Sequence, residues 1–240
     1  MPSMVEVAII GAGPYGLSLA AHLRDAGVSF RIFGKPMSTW RDHMPLGMYL
    51  KSEGFASNLS APDANSTLEA WCAANARPYT AQKTPVALAD FVAYADWFAA
   101  AQVPMLERFN VIHVLKGDKG YALTLETGAV VHARRVVLAV GISWFKHTPA
   151  ELAQLPAGLV SHSFDHHRAD EYRGREVVVL GAGSSAVDTA LAFAAAGART
   201  TLVARSREIR FHVAPGDGAP TILGQLQYPD TGIGPGWRSF

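Results

Sequence analysis

The sequence predicts an α/β fold built from two strand–glycine turn–helix–strand units, the second of them incomplete. Apolar, β-branched runs at 5–10 and 176–180 each lead straight into a glycine cluster. The clusters are Gly11-Ala12-Gly13-Pro14-Tyr15-Gly16 and Gly181-Ala182-Gly183-Ser184-Ser185-Ala186. Each opens an apolar helical stretch that stops at a glycine, Gly27 or Gly197, and a second short strand follows at 28–33 or 200–204.

The elements follow in order. The run 5–10 is short and β-branched, as a buried parallel strand should be. A helix over 17–26 follows, then a strand over 28–33 stopped by Gly34 and Pro36. From 38 to 84 the periodicity is weak and Ser, Pro, Asn and Gly abound, which predicts an irregular active-site segment with one short helix at 67–76. A helix over 85–101 carries an apolar stripe of Leu88, Phe91, Val92, Ala95, Trp97 and Phe98. Runs at 111–115, 121–126 and 130–133 predict a β-meander, and 136–140 a further buried strand ending at Gly141. A polar connection over 149–175 carries His162, His166 and His167. The second unit has a strand at 176–180, a helix at 187–196 and a strand at 200–204, and the Gly- and Pro-rich stretch 215–240 shows no period. The expected division is a first nucleotide domain over 1–148, a linker over 149–175 and a partial second domain over 176–240.

Composition excludes several classes. The 240 residues are 17% charged and 49% hydrophobic, a globular mixture. A net charge of +1 argues against nucleic acid or anionic membrane as partner. The single cysteine, Cys72, permits no internal disulfide, no CxxC redox pair and no thiolate-rich zinc site. The stretch 186–198 comes nearest to a membrane span but is short and holds Asp188. Glu6 and the lack of a preceding basic region argue against a signal peptide, so the expectation is a cytoplasmic protein. The spacing of His162, Asp165, His166 and His167 permits a metal, but no further ligand supports one and none is expected.

Both glycine clusters match the dinucleotide fingerprint, so the units are expected to be Rossmann-like, with three-layer ββα/βαβ packing. The first glycine allows the tight turn, the second lets backbone approach the pyrophosphate, and the third lets helix and strand pack closely. Helix N-termini offer free N–H groups and partial positive charge to the phosphates. Gly11, Gly13, Pro14, Tyr15 and Gly16 are therefore cofactor-binding candidates in the first unit, and Gly181, Gly183, Ser184 and Ser185 in the second. A carboxylate at the end of the second strand normally holds ribose hydroxyls, yet the first unit has Phe33-Gly34-Lys35 there. The second unit has Ala204-Arg205-Ser206-Arg207, and Arg205 suits a 2′-phosphate, favouring NADP over NAD.

On these residues, with Thr39-Trp40-Arg41, Val137-Leu138-Ala139-Val140-Gly141 and His162-Ser163, the chain resembles the two-dinucleotide-binding flavoproteins. Within them it is most similar to the class B-like flavin-containing monooxygenases, which include Baeyer–Villiger and amine N-hydroxylating enzymes. The resemblance implies FAD in the first unit, NADPH in the second, and molecular oxygen with a small organic molecule as substrates. Thr39-Trp40 resembles the family's Gly-Thr-Trp segment beside the flavin, which brings in Trp40 and Arg41 as candidates with Gly34 and Lys35; Trp40 equally suits a core position. Gly141 sits in a turn similar to the family's Ala-Thr-Gly, and His162-Ser163 resembles the end of its linker signature. Lys51 and Ser52 are flavin-side candidates without an assigned catalytic role. Only 60 residues run from Gly181 to Phe240, against roughly 100 for a full second domain, so a shortened chain is expected. Reduction without oxygenation, or a nucleotide-binding module without turnover, are the alternatives.

Overall fold

Strand β1 (Val5–Ile10) is apolar at consecutive positions because both of its faces are covered. In the computed structural model, which describes residues 4–209 except 83, 157 and 206 together with 230–231 and 234–235, Val7 and Ile9 face one core and Ala8 and Ile10 the other. The first core is helical. It holds α1 (Pro14–Asp25), α3 (Leu68–Ala74) and α4 (Leu88–Gln102), through Leu17, Ala20, Trp71, Phe91, Tyr94 and Phe98 among others.

The sheet runs β2-β1-β5-β4-β3, where β2 is Phe30–Phe33, β3 Val111–Gly117, β4 Gly120–Leu125 and β5 Val130–Leu138. The pairs β1–β2 and β1–β5 are parallel, while β5–β4 and β4–β3 are antiparallel. Leu123 and Leu125 of β4, with Val131 and Ala133 of β5, close the second core against Ala8, Ile10 and Phe33. The first unit therefore has three layers: helices, parallel strands and the meander.

The two strands expected at 130–133 and 136–140 are one, β5. Arg134 and Arg135 do not break it, because Glu6 of β1 takes both guanidinium groups, at 2.9 and 3.1 Å. The segment 38–84 also holds more order than its composition suggests. Helix α2 (Ser38–His43) and a 3-10 turn at Gly54–Ser57 join α3 there. Helix α2 buries no residue of its own, so it carries no apolar stripe to betray it. Helix α1 starts at Pro14, since proline suits the first helical position and its missing N–H costs nothing there.

The second unit is slighter. Strands β6 (Glu176–Leu180) and β7 (Arg199–Val203) pair in parallel beneath α6 (Ser184–Ala195). Alternate residues Val177, Val179 and Leu202 are half-buried, while Val178, Leu180 and Val203 are exposed. The linker carries a short helix α5 (Ala150–Ala153) and 3-10 turns at Ser163–Asp165 and Asp170–Tyr172. Beyond 209, only the two-residue strands Asp230–Thr231 and Gly234–Pro235 fall within the described residues, so the reading of 215–240 otherwise lies outside them. Among the described residues no helix is long and apolar enough to cross a membrane.

Tyr94 ties the irregular segment to the helical core. Its hydroxyl donates to the Ser66 carbonyl at 2.7 Å and accepts from the Leu59 N–H at 3.0 Å. Burial pushes its phenol up to about 12. The fold thus holds a proton that the unfolded chain releases near pH 10, and this contribution is lost as pH rises from about 10 to 12. Tyr94→Phe should cost about 1–2 kcal/mol in urea unfolding at pH 7. The variant should also lose less stability than wild type between pH 9 and 11.

Candidate functional site

The first glycine turn is dictated by contact. Gly11 has φ +116, and a Cβ there would lie 2.1 Å from the Ala139 carbonyl oxygen just after β5. A Cβ on Gly16 would lie 2.0 Å from the Gly11 carbonyl oxygen. These two glycines let β1, β5 and the start of α1 meet. Gly13 differs: a Cβ would meet nothing within 4 Å, so the space beside it is open. Backbone bonds lock the three strand ends around it, from Gly11 N–H to Phe33 O (2.8 Å), Ala139 N–H to Ile10 O (2.8 Å) and Met37 N–H to Ala12 O (3.0 Å). The second turn repeats the arrangement. Gly181 has φ +150 and its Cβ would sit 2.9 Å from the Ala186 Cβ, while the space at Gly183 is open. Neither helix has a side-chain cap, so first-turn N–H groups face each opening.

A cleft of about 510 Å³ lies at the carboxyl ends of the parallel strands, where α/β sheets bind ligands. It brings together Gly11, Gly34 and Lys35 from the sequence-derived set, with Ile10, Ala12 and Phe33. It also takes in residues that sequence reasoning missed: Ser38, Asn110, Val111, Ile112, Glu126 and Trp144. Asn110 and Glu126 flank the β3–β4 hairpin, and only the return of the meander over β1 and β2 carries them here. Tyr15 is 82% exposed in the first turn of α1.

The remaining candidates lie elsewhere. Trp40 is half-buried and packs edge-on against Phe91 at 4.9 Å. Arg41 holds both Asp96 oxygens, at 2.7 and 2.8 Å. Gly141, with φ +69, backs onto Thr39, whose hydroxyl lies 3.2 Å from that of Ser143. Ser52 Oγ is 2.8 Å from Ser57 Oγ. Lys51 reaches out of the first unit to Asp188 on α6, at 2.9 Å. Ser185 Oγ lies 3.2 Å from Ser163 Oγ on the linker, and Arg205 is exposed beyond β7.

The linker histidines have structural partners. His162 Nδ1 accepts from the Phe164 N–H at 3.2 Å, and Asp165 accepts from the His162 N–H at 3.0 Å. The Lys146 ammonium, 2.7 Å away, holds the Asp165 carboxyl below the usual range, helped by the His162 N–H. His166 lies between Ser161 (2.6 Å) and Tyr172 (3.0 Å) and against Phe193, and burial pushes its imidazole down. His167 Nδ1 and His43 Nδ1 bond the carbonyls of Met44 and Phe164, at 2.6 and 2.8 Å, lacing the linker to the end of α2 and the residue after it. Among the described residues, no three His, Cys, Asp or Glu side chains converge as metal ligands would.

The chain has similarity to a ferredoxin–NADP reductase of Granulibacter bethesdensis, 37% identical over 119 residues, 48% of this chain and 32% of that protein. A ferredoxin–NADP reductase of Streptococcus gordonii is 28% identical over 221 residues, 88% of this chain and 57% of that protein. A flavin-containing monooxygenase of Stenotrophomonas maltophilia shares the fold, with TM-score 0.71 and 24% identity over 88% of this chain and 60% of that one. The chain therefore spans between about a third and three-fifths of the proteins it matches. Residues 8–217, both glycine turns included, match one family, and the chain belongs to the pyridine nucleotide-disulphide oxidoreductases.

Proposed function

We propose that the protein is an FAD-dependent oxidoreductase that draws hydride from NADPH, with FAD on the first unit (1–148) and NADPH on the second (176–240). The observation that carries this reading is the paired openings at Gly13 and Gly183, each facing an uncapped helix start. Bound there, FAD would accept a hydride from NADPH and pass the electron pair to an acceptor. The chain's own part is to bind and align. First-turn N–H groups of α1 and α6 receive the pyrophosphates. Arg205 pairs with the 2′-phosphate of NADPH by a charge-assisted fork. The Lys51–Asp188 pair and the Ser163–Ser185 contact hold α6 against the first unit and the linker.

The finer reading is monooxygenation of a small organic molecule with molecular oxygen, in the cytoplasm. The resemblance of Thr39-Trp40 and the glycine turns to flavin-containing monooxygenases supports it. A second reading, reduction of an acceptor without oxygenation, draws on the identity to ferredoxin–NADP reductases.

The test is the absorption spectrum of the purified protein, then anaerobic NADPH, then air. Bound flavin that bleaches and is reoxidised with one organic product per oxygen supports monooxygenation. Bleaching with reoxidation only by an added electron acceptor supports the reductase, and no bleaching sinks both. Gly13→Ala should change unfolding stability by less than about 0.5 kcal/mol yet weaken FAD retention about tenfold, because the new methyl enters ligand space. Gly16→Ala should instead cost about 1–3 kcal/mol of stability, from the backbone contact it forces. Arg205→Ala should weaken NADPH by roughly tenfold to a hundredfold in titration, with NADH unchanged.

A further inference from the structure

The first unit has a gap in its expected recognition set. A dinucleotide whose pyrophosphate sits at α1 extends its adenosine half toward the end of β2, where a carboxylate ordinarily takes the ribose hydroxyls. Here that end is Gly34-Lys35. Gly34 has φ +136, and a Cβ on it would lie 3.2 Å from the Ala12 nitrogen. The backbone at this position thus excludes the side chain that would do the work.

A carboxylate enters the same cleft from another element. Glu126, on the turn after β4, is exposed and is, among the described residues, the one acidic residue lining the cleft. Its backbone N–H bonds the Asn110 carbonyl at 2.8 Å, and the Asn110 side-chain amide donates to Glu126 Oε2 at 2.9 Å. These two bonds orient the carboxylate and leave Oε1 without a hydrogen bond among the described residues. Among the described residues Lys35, the cation lining the cleft, forms no ion pair with it within 4.0 Å. An oriented acceptor with one oxygen open is what vicinal hydroxyls require.

We propose that Glu126, positioned by Asn110, accepts hydrogen bonds from the ribose hydroxyls of the adenosine half of FAD and so replaces the missing carboxylate of β2. This rests on the reading that the first unit holds FAD. It predicts that adenosine recognition moved from the parallel strands to the meander.

The test uses the flavin-stripped protein, with FAD binding followed by flavin fluorescence and competed by ADP or 2′,3′-dideoxy-ADP. Competition against FAD confines the readout to the flavin's own site. Glu126→Gln should weaken FAD and ADP about tenfold and leave the dideoxy competitor unchanged. Glu126→Asp, which keeps the charge but shortens the reach, should lose part of the same affinity. Melting without ligand should be the same for all three proteins, since the side chain is exposed. Wild-type affinity in Glu126→Gln, or an equal loss for ADP and its dideoxy analogue, overturns the assignment to Glu126. Failure of the wild-type protein to bind FAD at all overturns the FAD reading instead, and this proposal with it.

Discussion

The contact between Gly11 and the Ala139 carbonyl governs the first unit. Strand β1 lies between β2 and β5, so its exit must pass over the end of a neighbouring strand. Only a residue without Cβ can turn there, since a Cβ would meet that oxygen at 2.1 Å. The turn sends α1 back across the sheet with its N-terminus at the strand ends. The same backbone step thus buries Leu17 and Ala20 with Ile9 in one core and leaves open space beside Gly13 at the start of α1. Packing and ligand chemistry share one geometric cause, which is why Gly11 and Gly16 serve the fold while Gly13 serves the opening.

The second unit repeats that step with less around it. Gly181 turns against Ala186 as Gly11 turns against Ala139 and Gly16, but among the described residues the second unit shows two paired strands and one helix over one face. Its attachment to the first unit is correspondingly polar. Lys51–Asp188 is a largely exposed pair, and such pairs contribute at most about 1 kcal/mol. The attachment is shared by short bonds of His43 and His167 to backbone carbonyls and by the Leu46 N–H to His167 O bond at 3.0 Å. Several modest hydrogen bonds on the linker thus join the second unit to the first.

The linker histidines each have a structural partner. His162 caps a 3-10 turn, His166 lies edge-on to two aromatic rings, and His167 bonds a carbonyl. Each is occupied by its own neighbours, and their proximity in sequence reflects a tight turn. Trp40 and Arg41 are likewise engaged with α4, through Phe91 and Asp96.

The sequence by itself determined the two glycine turns, the helices they open, the apolar character of β1 and the family of the chain, because the glycines that such a turn requires and the apolar runs on either side of it are written in the residues themselves. It could not show that β5 runs unbroken through Arg134-Arg135, since the neutralising Glu6 is remote in the chain. Nor could it place Asn110, Glu126 and Trp144 beside Gly11 and Gly34. Those positions lie on hairpin ends and a loop with no motif of their own, and only the return of the meander over β1 and β2 decides which side of the sheet they reach. The turn leaves its mark in the glycines it demands, whereas the wall of the cleft is set by long-range packing alone.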